Sequence, residues 1–323
     1  MKTSTSFLYL SAAACLVAAQ LTAAQSFPTR PMRFIVPFSA GSASDLLARM
    51  IGPKLTESWG QQVIVESRPS AGGTIAGGIV AASNPDGHTL MLTSSAFAGS
   101  AALYEKLPYD SLKDFSGVTQ VASTAIVLVI SPSVGARSVK ELIALAKQKP
   151  GVLTYGSAGI GSGTHYANEL FALAAGINVV HVPYKGIPEI MNEVIAGRIN
   201  FAFLPVLMAT PMVKSGRLSA VGLSAKSRLA LLPDVPTIDE AALPGFEYDG
   251  WFGVFAPSRT PRAVIDKLSR EIGRILRMRD VSERIEATGA IPKPGTPAEF
   301  DKLVRDEIVK RRKVFQAAGT KIQ

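Results

Sequence analysis

Short apolar runs alternate with stretches of helical periodicity along this chain, and the alternation occurs twice. Phe34-Ile35-Val36 reads as a buried strand. Leu47, Met50, Ile51 and Leu55 follow at helical spacing, with Ser44-Asp45 in the N-cap position. Pro53 falls inside that helix and is at odds with it. Val63-Ile64-Val65 and residues 89–92 are the next strands. A glycine-rich loop from Pro69 opens the helix between them, and Pro85-Asp86-Gly87 is a turn. This βαβαβ order calls for a parallel sheet covered by helices. From residue 125 the pattern starts again. Strands are expected over 125–130, 153–155, 179–182, 201–203 and 218–223, with helices over 138–147, 164–175 and 188–196. A late strand over 253–256 and amphipathic helices over 262–277 and 297–317 close the chain. Two α/β units of this kind form two lobes with a cleft between them, and ligands of open α/β sheets bind beyond the carboxyl ends of the strands.

The composition can support such a fold. Hydrophobic residues make up 47% of the 323 and charged residues 18%, enough to fill a core and unlike a disordered chain. The net charge of +9 suits nucleic acid, an anionic surface or an anionic small ligand. The basic residues are spread out apart from one run, Lys310, Arg311, Arg312 and Lys313, which reads as a solvated helix face. At the N-terminus, Lys2 precedes an apolar stretch over 7–24 that ends in Thr22-Ala23-Ala24. This reads as a secretory signal peptide over 1–24, with Gln25 as the first mature residue of an exported chain. A membrane anchor is the alternative reading, and lipidation at Cys15 a third, although Ala12-Ala13-Ala14 lacks the large apolar residue such a site uses. Cys15 is the only cysteine, so a processed chain would have no disulfide and no thiolate chemistry.

Most chemistries lack their residues. His88, His165 and His181 are scattered and no carboxylate cluster has ligand spacing, so no metal is expected. Ser157 and Ser162 lie in a glycine-rich loop, but neither stands in Gly-x-Ser-x-Gly, and His165 is a poor base for a serine three residues away. No catalytic residue is assigned. The loop over 156–163 is not Gly-x-Gly-x-x-Gly, the following strand ends in Pro183-Tyr184 rather than an acidic residue, and no P-loop is present, so no nucleotide cofactor is expected. Anion capture remains. A helix N-terminus offers unpaired N–H groups and a partial positive charge, and glycine allows close approach. The arrangement occurs at Phe38-Ser39-Ala40-Gly41-Ser42-Ala43-Ser44-Asp45 and again over Ser157, Gly159, Ser162, Thr164 and His165. Ordinary helix-capping loops are the alternative on spacing alone.

These residues resemble the Bug family of extracytoplasmic solute receptors, the binding components of tripartite tricarboxylate transporters. The resemblance covers the whole mature chain. It is carried by Pro28-Thr29-Arg30-Pro31-Met32-Arg33, Val36-Pro37-Phe38 with Gly41 and Asp45, and Asn84-Pro85-Asp86-Gly87-His88-Thr89-Leu90. Further on it rests on Tyr155-Gly156-Ser157-Ala158-Gly159 with His165 and Glu169-Leu170-Phe171, then Val182-Pro183-Tyr184-Lys185-Gly186. Arg228, Leu232-Pro233-Asp234-Val235-Pro236-Thr237 and Trp251 complete it.

The resemblance implies a type II periplasmic-binding-protein fold, α/β in both lobes, joined by two crossing strands near Ala125 and Leu223. Lobe 1 would comprise 25–124 and 224–323, and lobe 2 residues 125–223. It implies a non-enzymatic receptor that holds a small carboxylate through backbone amides and small polar side chains, without cofactor, metal or nucleic acid. The receptor is expected to be a monomer that docks on membrane permease subunits. A ligand-loaded sensor signalling to a membrane partner is the alternative. The first-loop role falls to Phe38, Ser39, Ala40, Gly41, Ser42, Ser44 and Asp45, and Thr93, Ser94 and Ser95 would line the first lobe. The second-loop role falls to Ser157, Gly159, Ser162, Thr164 and His165. Tyr184, Lys185 and Gly186, with Leu204 and Pro205, would form the second lobe's rim. Three positions depart from the family pattern: Gly41-Ser42 replaces Gly-Gly, His88 replaces a tyrosine, and the segment at Phe201-Ala202-Phe203-Leu204 lacks an aspartate.

Overall fold

The computed structural model describes residues 27–70 and 73–320. The expected signal peptide, its cleavage site and Cys15 lie outside the described residues. Two sheets organise the described residues. The first holds β1 (Met32–Val36), β2 (Val63–Ser67), β3 (Thr89–Ser94), β4 (Phe115–Thr124), β10 (Gly250–Pro257) and β11 (Ala290–Pro292), in the order β11-β4-β10-β3-β1-β2. The second holds β5 (Ile126–Ile130), β6 (Thr154–Ser157), β7 (Val180–Pro183), β8 (Phe201–Pro205) and β9 (Ser219–Leu223), in the order β7-β6-β8-β5-β9. β1, β2 and β3 pair in parallel, as do β6, β7 and β8, whereas β4, β5 and β10 run antiparallel to their neighbours. Helices cover both faces of each sheet, so central strands are apolar throughout. All of β5, Ile-Val-Leu-Val-Ile, is buried, and so is all of β10.

The helices follow their periodicity. α1 (Ala43–Trp59) follows β1, α2 (Thr74–Ala81) follows β2, and α3 (Ala96–Leu103) follows β3. In the second sheet, α4 (Val139–Gln148) precedes β6, α5 (Gly163–Ala175) follows β6, α6 (Ile187–Ile195) follows β7, and α7 (Val206–Lys214) follows β8. Short α8 (Ile238–Ala241), then α9 (Arg262–Leu276), α10 (Arg279–Glu286) and α11 (Pro297–Ala317) complete the chain. Val264, Ile265, Leu268, Ile272, Ile275 and Leu276 form the buried stripe of α9 against the first sheet. Pro53 lies within α1 on its exposed side, so the Arg49 carbonyl it leaves without an amide partner faces solvent.

The crossings are tied to each other. The chain passes from β4 into β5 across Ala125 and returns to the first sheet at β10. Wholly buried Ser224 accepts a hydrogen bond from the Ile126 amide (3.0 Å) and donates one to the Tyr248 carbonyl (2.7 Å), joining the two crossing segments. The return comes later than the expected division at 224. Ile238, Phe246 and Tyr248 pack in the second sheet's cluster with Leu142, Tyr155 and Phe203, so 224–249 sits with the second sheet. The basic run is also only partly a solvated face. Lys310, Arg312 and Lys313 are exposed, but Arg311 is completely buried, paired with Glu307 (2.7 Å) and lying over the Tyr166 ring at 4.3 Å.

Candidate ligand-binding site

The loops after β1 and β3 leave the same edge of the first sheet, because those strands are parallel neighbours. The loops after β6, β7 and β8 leave one edge of the second sheet for the same reason. α3 and α5, which start from these two edges, touch each other. The topology therefore turns both loop clusters toward one cleft.

In the first loop the N-cap is Ser42 rather than the expected Ser44-Asp45. The Ser42 hydroxyl accepts from the Asp45 amide (3.3 Å), and the Ser39 carbonyl accepts from the Ser42 amide (3.0 Å). The side chain that replaces the family's second glycine is thus spent on the cap. Asp45 is 1% exposed and faces inward. Its Oδ2 accepts from the Gly41 amide (2.9 Å) and from Arg49 Nε (2.9 Å), and its Oδ1 from the Ser67 hydroxyl (3.2 Å). Burial opposes its charge, but these donors hold its pKa below the ordinary carboxylate value. Asp45 is a latch for the loop. Gly41, at φ 81°, has the left-handed conformation the turn needs. Ser39, Ala40 and Gly41 are exposed and Phe38 is half-buried, while Ser44 is buried with its hydroxyl unpartnered. Among the described residues, the amides of Ser39, Ala40, Ala43 and Ser44 have no partner.

The second loop repeats this design. Ser162 is the N-cap of α5, its hydroxyl accepting from the His165 amide (3.1 Å). The Thr164 hydroxyl accepts from the Ala158 amide (3.0 Å), and His165 Nδ1 accepts from the Gly161 amide (3.1 Å). Ser157 is wholly buried, its hydroxyl 2.6 Å from His181 Nε2 and 3.3 Å from the Gly159 carbonyl. Ser157, Thr164 and His165 therefore point into the loop and not into the cleft. The amides of Gly159, Ile160, Gly163 and Thr164 are left without partners among the described residues.

A titratable cluster lies behind this loop. His165 is stacked between His181 (centroids 4.2 Å) and Phe315 (5.1 Å), and its Nε2 faces Glu169 at 3.5 Å. Tyr155 stacks on His181 and hydrogen-bonds Glu169. Burial, with the neighbouring His165, pushes the His181 pKa down to about 4. Burial opposes the Glu169 charge, yet hydrogen bonds from His165 and Tyr155 leave its pKa lowered. His181 as partner of Ser157 was not foreseen. The sequence carries no signal for it: only the register that pairs Tyr155 with His181 puts Ser157 one pleat further along the same face.

The other expected positions divide. Thr93 is buried in β3 opposite Gly253. The Ser94 hydroxyl accepts from the Ala96 amide (3.3 Å), and the Ser95 hydroxyl meets Tyr248 Oη at 3.2 Å. The Tyr184 amide donates to the Ser157 carbonyl (2.8 Å), which fixes the loop after β7 beside the second loop. Lys185 is exposed, its amide donating to Glu189 (3.1 Å), and Gly186 caps α6 with extended backbone. Leu204 is not a rim residue: it is wholly buried in the second sheet's apolar core, and only Pro205, at the N-cap of α7, reaches the edge. His88 sits at the opposite end of β3, where its Nε2 accepts from the Thr29 amide (3.2 Å) and its Nδ1 faces Asp86 (3.1 Å). That makes it a scaffold residue far along the strand from the loops.

Known proteins share this architecture. A protein encoded between tcbD and tcbE in Pseudomonas sp. strain P51 is 37% identical over 291 residues, 90% of this chain and 87% of its own. Protein BugT of Bordetella pertussis is 33% identical, covering 93% of each chain. Among solved structures, an R. palustris protein with adipate superposes with a TM-score of 0.82 at 31% identity, covering 91% of this chain and 98% of its own. MatC from Rhodopseudomonas palustris, with bound malate, gives 0.78 at 30% identity, over 89% of this chain and 99% of its own. Residues 47–320 match the tripartite tricarboxylate transporter family receptor, and the chain belongs to that family.

Proposed function

We propose that this receptor captures a small organic acid in the cleft, in the periplasm, and presents it to the membrane permease subunits of a tripartite transporter. One observation carries the reading. The first turns of α1 and α5 leave backbone amides unpartnered, while the hydroxyls, carboxylate and imidazole beside them are turned inward to fix the loops. Two helix N-termini, one per lobe, suit an acid with a carboxylate at each end, held by main-chain donors. The adipate and malate bound by the two R. palustris proteins support that ligand class. Closure of the lobes would bury the acid and complete its contacts.

A thermal-shift screen of purified protein against adipate, malate, other mono- and dicarboxylates, and their neutral amides tests this. Ligand at about 100 times its dissociation constant adds roughly 2.7 kcal/mol of stability. A rise confined to acids is expected. Equal shifts with the amides, or none across the panel, would refute carboxylate capture.

A further inference from the structure

The two lobes meet through glycines. Gly99, in the middle of α3 of the first lobe, lies against the Gly161 carbonyl of the second binding loop. A Cβ built on Gly99 would overlap that oxygen and reach 3.4 Å from Arg311 Nη1. Gly163, the first residue of α5, faces the same junction: a Cβ there would sit 2.8 Å from Tyr248 Oη and 3.7 Å from Ser95 Oγ. On the other flank, Gly289 of the first lobe lies against α7 of the second, a Cβ there coming within 3.3 Å of the Leu207 amide nitrogen. Both contacts flank the crossing segments, since the Ser95 amide, one turn before Gly99, donates to the Trp251 carbonyl (2.8 Å) and Ala290, next to Gly289, pairs with Thr124. Around the first contact, Tyr248 Oη touches Ser95 (3.2 Å) and accepts from Arg311 (3.3 Å). Trp251 and Arg311 both hydrogen-bond Glu307. The surroundings are buried, and the nearest atom is a backbone oxygen, so a side chain added at the seam has little room to be absorbed locally.

We infer that Gly99 is a positioning residue for ligand capture: its missing side chain lets the Gly161 carbonyl seat against α3, and this contact sets how far the lobes close. The inference rests on the two-lobed receptor reading. Gly161 also gives its amide to His165, so the residue that stops closure is part of the loop that offers free amides to the ligand. An alanine at 99 must push the carbonyl back by more than about 1 Å to restore ordinary contact, from 2.1 Å to at least 3.4 Å. Because the seam lies next to the crossing segments, the displacement grows toward the open end of the cleft.

Double electron–electron resonance on the ligand-free protein tests the stop. Spin labels go on Glu57→Cys in α1 and Lys147→Cys in α4, both exposed and one in each lobe, in a Cys15→Ser background. Gly99→Ala should lengthen the mean distance. Gly78→Ala, a helical glycine whose added Cβ meets nothing closer than 3.7 Å, should leave it unchanged. Tyr248→Phe adds no volume and removes only the hydroxyl joining Ser95 and Arg311, so it should broaden the distribution. Parental distances in a folded Gly99→Ala protein overturn the inference. Should that variant not fold, a parental distribution in Tyr248→Phe overturns it instead. Titration with adipate and malate then adds the functional readout, with weaker binding by Gly99→Ala and parental binding by Gly78→Ala. If neither these nor any other acid of the thermal-shift panel binds the parent, the carboxylate reading falls, while the distances still judge the stop.

Discussion

Asp45 separates a loop latch from a ligand contact, and substitutions tell the two apart. Asp45→Ala removes three acceptor interactions: with the Gly41 amide, with the Ser67 hydroxyl and with Arg49. A hydrogen bond to a buried charged group contributes about 1.5 kcal/mol or more. The Arg49 side chain is 54% exposed, so that ion pair adds less than about 1 kcal/mol. Relief of carboxylate desolvation offsets part of the loss, leaving a net destabilisation of about 2–4 kcal/mol. Asparagine can still accept from Gly41 and donate to Ser67, so Asp45→Asn should lose only ~1 kcal/mol. Urea unfolding, with the slope unchanged, measures both. Acid binding should weaken in Asp45→Ala, whose first loop is released, and largely recover in Asp45→Asn. Loss of binding in both variants at wild-type urea stability would refute the latch and put the carboxylate in direct contact with the ligand.

Acid should destabilise the fold through His181. Its folded pKa, about 4, lies below the ordinary 6.5, so the unfolded chain takes up the proton first; stability is full above pH 6.5 and falls as pH drops toward 4. The gap corresponds to at most about 3 kcal/mol, reduced to ~1–2 kcal/mol by solvent reaching the half-buried ring. Urea midpoints across pH 4–7 should show this slope, and His181→Asn should flatten it. Gly253→Ala should destabilise by about 1–3 kcal/mol or more, because a Cβ there overlaps the buried Phe300 ring, and thermal unfolding checks it. Ser224→Ala leaves the Ile126 amide and the Tyr248 carbonyl unpaired between the crossings and should cost about 2–3 kcal/mol in urea unfolding.

The periodicity of apolar residues made most helices and central strands legible, because runs such as Ile126–Ile130 are buried on both faces and cannot be mistaken for surface. β4 was missed: Phe115–Thr124 mixes small and polar residues, and its burial comes from covering elements far away in sequence. α3, Ala-Phe-Ala-Gly-Ser-Ala-Ala-Leu, is buried almost all round and so carries no amphipathic signal. The glycine-rich loops were legible as helix N-termini. The direction of their side chains was not, because whether Ser157 or Asp45 points in or out depends on Ser67, Gly159 and His181, which only the fold brings near. Arg311 was misread within a basic run because Glu307 and the rings of Tyr166 and Tyr248, which make its burial tolerable, come from one helical turn and two distant segments.

α11 belongs to both lobes. Phe300, Val304 and Ile308 pack with the first sheet, while Val314 and Phe315, at the far end of the same 21-residue helix, pack in the second sheet's cluster. A helix fastened at both ends acts as a splint across the joint, resisting any swing that its fastenings cannot follow. Its far fastening includes the stack of Phe315 on His165. Arg311 over the Tyr166 ring and the edge of Tyr166 against Phe315 brace the same end, so a swing of the lobes must carry the second half of this helix with the second lobe.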